Sequence, residues 1–292
     1  MIPLISSGNF GPAGVCQLPR LWWKVVLKQA GQLDADYPDC SGGLDSMVLE
    51  QLNLDKEPTL NYIRRELPTY LEFENWVLEQ KGGSLDRQVV EQWNKFIRER
   101  IHKEEKLVEI HAALGLANDG KIQSALLLNH LEDWHYFQQR DLAGGLPGKA
   151  VPLIATIDAG PLGVSQLPRT WLKVLLEAKG LLHPDYPACG GGLDSRVLEV
   201  LGLDKEETLS YLRGRRPSYL EFEGWVLAQT GGSLDLAAVG DWNQYLLERL
   251  HNEEKRMDIH ATLGFEDEGS IKLAMILNQL EDWHLAHAQL LG

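Results

Sequence analysis

The sequence predicts an all-α protein built from two homologous helical bundles, and three observations carry that reading. At a constant offset of 149, residues 1–143 recur as residues 150–292 without a gap, more than half of the aligned positions being identical. Apolar residues return at three- and four-residue intervals in each long segment, the spacing of one helix face. Strict two-residue alternation, the mark of a half-buried strand, is nowhere sustained.

The repeat opens with Ile2-Pro3-Leu4-Ile5 against Val151-Pro152-Leu153-Ile154 and closes with Leu131-Glu132-Asp133-Trp134-His135 against Leu280-Glu281-Asp282-Trp283-His284. Its length is that of a domain with its own core rather than of a solenoid brick. The expected organisation is one bundle over residues 1–143, a linker over 144–158 and a second bundle over 159–292, the repeat unit 150–292 including the anchored end of the linker. A twofold interface is self-complementary, so fusion of a homodimer is a natural origin. A monomer with internal pseudo-twofold symmetry, a pseudo-dimer, is expected.

Within the first unit, Leu18 to Ala30 carries one apolar face and stops at Gly31, a C-terminal signal. Asp34 to Gly43 is too rich in turn formers for helix. Leu44 to Leu54 resumes helical spacing, and Asp55 is positioned to cap a helix reaching Glu66. Pro68 suits a first turn, so a helix follows over Thr69 to Gln80 and ends at Gly82-Gly83. Ser84-Leu85-Asp86 supplies caps for one long helix from Arg87 to Leu114, with a core stripe of Val90, Trp93, Ile97, Ile101, Val108 and Ala112. Lys121 to Gln138 forms the last helix. Asp141 to Asp158 contains Gly144-Gly145, Pro147-Gly148 and Pro152 and makes the connection; its apolar Val151 to Ile154, like Ile2 to Ile5, is expected to be anchored.

Composition narrows the function. The formal net charge is −14, which opposes nucleic acid, and no Lys/Arg cluster makes a local exception. No apolar run reaches the roughly 18–20 residues that cross a bilayer. Met1 to Val15 lacks the basic and apolar regions of a secretory leader. Three cysteines cannot make a disulfide framework, so a cytoplasmic location with reduced thiols is expected.

Pro19-Arg20 with Lys24, Gly31, Tyr37 leading to Cys40 and Leu44-Asp45, then Leu54-Asp55, Trp76 and Trp93-Asn94 form an ordered set, repeated in the second unit. Through these motifs the first two-thirds of each unit resembles a bacterial family of uncharacterised proteins, domain of unknown function 5069. The resemblance implies an α-helical bacterial protein with no assigned activity and lends no catalytic residue. The chain departs from that pattern in its duplication and in a Glu- and His-bearing helix pair after Trp93-Asn94.

Four constellations could carry chemistry. Arg20 and Lys24 lie one helical turn apart, with Arg169 and Lys173 as copies, and such a pair can hold a carboxylate or phosphate; intramolecular acidic partners are also plentiful. The loop bearing Tyr37, Cys40 and Asp45, with Tyr186, Cys189 and Asp194 as copies, places a thiol and a carboxylate just before a helix, where a lowered thiol pKa would make a nucleophile. A structural turn is the competing reading. Tyr70 and Trp76, with Tyr219 and Trp225, could wall a pocket or fill the core. Finally, Glu99 and His102, Glu132 and His135, Glu248 and His251, and Glu281 and His284 are Glu-x-x-His pairs, the pattern that holds two transition metals in some helical bundles. Solvated helix surface explains the same pattern.

The leading expectation is an enzyme or binding protein for a small anionic organic molecule, with a pocket in each bundle or at their interface. The sequence leans towards an enzyme without fixing a reaction, and no cofactor is favoured. A metal-dependent, di-iron-like bundle and a non-enzymatic interaction scaffold are the alternatives.

Overall fold

The computed structural model describes residues 1–266 and 269–292. Among these residues there are α-helices and isolated bridges but no strand. The first half holds α1 (Leu18–Gln29), α2 (Leu44–Gln51), α3 (Lys56–Glu66), α4 (Tyr70–Gln80), α5 (Arg87–Glu99), α6 (Glu104–Leu114) and α7 (Ala125–Tyr136). The second holds α8 (Leu167–Ala178), α9 (Leu193–Val200), α10 (Lys205–Arg215), α11 (Tyr219–Gln229), α12 (Leu236–Glu248), α13 (Glu253–Leu263) and α14 (Ala274–Leu291). A π-helical segment, Phe137–Gly145, continues α7.

Local chemistry explains where the helices begin and end. Pro19 occupies the first turn of α1, where its missing N–H costs nothing. Thr69 and Glu72 form a reciprocal capping box on α4, as Ser218 and Glu221 do on α11. Every residue of α1 from Leu18 to Leu27 is buried, Arg20 and Lys24 included. A helix buried all round belongs at the centre of its bundle. Accordingly α1 packs against α2, α3 and α4, and α8 against α9, α10 and α11. The irregular segments before them are anchored as expected: Ile5 and Ile154 are fully buried.

The expected long helix over Arg87 to Leu114 is broken. Residues 100–103 separate α5 from α6, and the Arg100 carbonyl accepts the Ala125 N–H at 2.9 Å. The chain therefore turns, and the expected stripe fails beyond Ile97. Ile101 and Val108 face solvent, while α6 buries Leu107, Ile110 and His111 instead.

The halves meet over apolar surface. Helix α4 packs on α14, and α7 on α11. Buried residues from Ile2 to Ala286 form one continuous cluster spanning both halves. Trp22, Trp171 and Trp283 are its largest fully buried side chains. The indoles of Trp22 and Trp171 donate to the Pro68 and Pro217 carbonyls, so their burial leaves no orphaned donor.

Candidate functional site

Arg20 and Lys24 do converge with Tyr37 and Asp45, but each cation already has a carboxylate. The Arg20 guanidinium donates to Asp133 at 2.7 and 3.2 Å and to the Pro3 and Ile5 carbonyls. Tyr37 donates its hydroxyl to the same Asp133 at 2.7 Å. Lys24 binds Asp45 at 2.6 Å, and Gln17 and the Ser41 N–H complete the acceptor set of that carboxylate. The second half repeats the arrangement: Arg169 and Tyr186 bind Asp282, and Lys173 binds Asp194. Side-chain exposure of Arg20, Asp133, Lys24 and Asp45 is 10% or less. These are internal ion pairs that fasten α1 to α2, α7 and the segment before α1, each of the four cations being matched by a carboxylate.

Burial acts on these groups in opposite directions. It pulls the Lys24 ammonium down, while Asp45 pushes it back. Burial would raise Asp45, yet Lys24 and the Ser41 N–H hold it below the usual carboxylate range. Burial and the Asp133 charge push the Tyr37 phenol far up, so it stays neutral.

The cysteine loops are structural turns by the same measure. Burial and then Asp45 push the Cys40 thiol up, and burial and then Asp194 do so for Cys189. The Cys40 Sγ lies 3.8 Å from the Ser41 carbonyl and 3.9 Å from the Ser46 hydroxyl. A thiol kept protonated is a poor nucleophile.

Tyr70 is core: its ring meets Trp22 and Trp283 edge-on, and its hydroxyl donates to Glu74 at 2.7 Å. Tyr219 is equally buried against Trp171 and Trp134. Trp76 and Trp225 are half-buried and stack on Tyr62 and Tyr211. Burial raises Glu74 and Glu223 from an ordinary 4.5 to about 7. The chain comes close here: a Cβ on Gly11 would stand 2.3 Å from the Tyr70 ring, and on Gly160 2.2 Å from that of Tyr219. Only glycine fits at those two places.

The Glu-x-x-His pairs do not assemble. The break after α5 puts Glu99 at a helix end and His102 beyond it. His102 bonds Asn129 at 2.8 Å, and Glu132 pairs with Lys106 at 3.2 Å. His251 with Asn278, and Glu281 with Lys255, repeat this. Glu248 accepts from Gln244 on its own helix. His135 lies against the Tyr136 ring, and burial lowers both it and His284. Among the described residues no group of three or more His, Cys, Asp or Glu side chains could hold a metal ion.

None of the candidate site residues singled out in the sequence lines the pocket of about 350 Å³ between the halves. The first half supplies Ile2, Leu4, Trp23 and Phe137, the second Val151, Leu153, Ala286 and Leu290, and the connection Leu146 to Lys149 covers one side. Ile2, Leu4, Trp23, Phe137, Val151, Leu153 and Ala286 are all buried. Larger hollows exist elsewhere, such as the one of about 490 Å³ beside Tyr211 and Trp225, but exposed Glu207, Ser210 and Arg215 wall it. A concave, mostly apolar site where two units meet is the usual setting of a ligand pocket. Its one trace in the sequence is divergence between the copies: Phe137 corresponds to Ala286, and Trp23 to Leu172.

Set against protein-family models, curated proteins and solved structures, the chain matches none of them.

Proposed function

We propose that this chain is a binding protein for a small organic molecule, held where two duplicated halves meet about an approximate twofold axis. The pocket between the halves carries this reading, because its walls are buried, apolar and drawn from both units. The twofold relation is supported by contacts that occur in exchanged pairs. Tyr70 meets Trp283 while Tyr219 meets Trp134, and Asn9 bonds Asp158, its own counterpart, at 2.9 Å. Reciprocity of this kind is the signature of a self-complementary interface. Several pocket walls are also counterparts: Ile2 and Val151, Leu4 and Leu153, Phe137 and Ala286.

Binding is favoured over catalysis by the state of the polar groups. The buried cations are matched by carboxylates, and the cysteine thiols in the loops are held protonated. A ligand-observed NMR screen of uncharged and anionic fragments, run on the wild type and on Ala286→Phe, tests the reading. Fragments that bind the wild type and not the variant are expected. Binding that survives the substitution would place the site elsewhere.

One observation favours an interaction scaffold as the second reading. Ile101 and Val108, and their counterparts Leu250 and Met257, are each at least 50% exposed. Cross-linking in lysate that captured one partner through both sets, lost on substitution by Ser, would support it.

A further inference from the structure

We propose that the pocket between the halves takes an uncharged, predominantly apolar molecule of about a dozen non-hydrogen atoms; this rests on the binding reading above. Size comes first. An apolar cavity of about 150 Å³ holds a benzene ring. A pocket of about 350 Å³ therefore has room for roughly twice that.

Charge is decided by the polar groups around it, which already have partners. The Met1 amino group donates to the Gln32 carbonyl. Lys149 Nζ donates to the Gly180 carbonyl at 2.6 Å, and Gln289 Nε2 to the Lys149 carbonyl at 2.5 Å. Arg20, bonded to the carbonyls of Pro3 and Ile5 on either side of Leu4, is matched by Asp133. The Met1 amino group is also matched by Asp141 at 3.9 Å, and Lys149, which has no carboxylate partner among the described residues, is exposed at the rim. An ionised ligand buried among the apolar walls would lose its hydration there, whereas an apolar one gains from burial.

Divergence after duplication explains why there is room. Where the first half places Phe137 the second has Ala286, and both side chains border the pocket. Two phenyl rings at this point would fill much of the space that one leaves open. The substitution Ala286→Phe is thus a test supplied by the chain itself, since its own first half carries Phe on the equivalent helical continuation.

The probes are 1-decanol and decanoate, close in size and differing in charge, titrated calorimetrically at pH 8 into the full chain. We expect 1-decanol to bind at least about tenfold tighter than decanoate, the direction set by the cost of burying a carboxylate. Ala286→Phe should weaken 1-decanol at least about tenfold with an unchanged or raised Tm, because it fills a cavity. Should that variant fail to fold, Leu153→Phe on another wall carries the same expectation. Decanoate binding as tightly as 1-decanol or tighter, with both lost in the variant, overturns the uncharged assignment and leaves the binding reading standing. Failure of both probes to bind, or 1-decanol affinity unchanged in a folded variant, overturns both.

Discussion

Tyr70 stands edge-on to Trp283 across the meeting of the two halves, ring centroids 4.8 Å apart and planes at 72°. Both side chains are buried, and Trp283 is among the largest in the continuous core. Trp283→Ala is expected to lower stability by about 3–5 kcal/mol, the usual cost of removing a buried aromatic. Urea unfolding followed by circular dichroism measures it. A loss below about 1 kcal/mol would mean that the halves do not depend on each other there.

The Arg20–Asp133 pair predicts an asymmetry between single and double substitutions. Asp133→Ala strands a buried guanidinium and should cost about 3–5 kcal/mol, whereas Arg20→Met with Asp133→Leu should cost less than that single change. Comparison of the midpoints in urea checks the order. A double variant weaker than the single would show that the pair contributes net stability beyond its burial.

Glu74 gives the stability a pH dependence of definite sign. Its folded value of about 7 lies above the ordinary 4.5, because burial penalises the carboxylate. A group raised on folding stabilises fully below its unfolded value, and that contribution is lost as pH rises through the folded value. The wild type should therefore lose about 3 kcal/mol from this residue between pH 4.5 and 7. Glu74→Gln should reduce the slope to that left by Glu223, raised equally, gain over the wild type at pH 8 and match it near pH 4. An unchanged slope in Tm against pH would refute the assignment.

Thiol labelling separates the three cysteines. Burial lifts Cys16 to about 11, and its side chain is fully buried, so it should react with an aromatic disulfide reagent only after unfolding. Cys40 and Cys189 should react more slowly than a free thiol at pH 7.5, in step with their raised values. Rapid reaction of Cys40 would restore it as a nucleophile.

Helix class and the anchoring of Ile2 to Ile5 were legible because each depends on neighbours in sequence, whereas the single apolar face read for α1 did not foretell its burial all round, Arg20 and Lys24 included. The break at residues 100–103 was not. Apolar Ile101 continued the periodic pattern, and the turn is fastened by a contact with Ala125 that only the folded chain makes. The partners of Arg20 were hidden for the same reason: Asp133 lies 113 residues away, inside a motif that drew attention to its glutamate and histidine. The pocket left only the differences Phe137/Ala286 and Trp23/Leu172 as a linear trace, because its walls meet only when both halves are in place.

Isoleucine, leucine and valine methyl NMR of the full chain, with and without 1-decanol, tests the central claim most directly. The account predicts shifts concentrated at Ile2, Leu4, Leu146, Val151, Leu153 and Leu290, which border the pocket between the halves. Shifts centred instead on methyls remote from it, such as Leu85 or Leu209, or none at saturating probe, would contradict it.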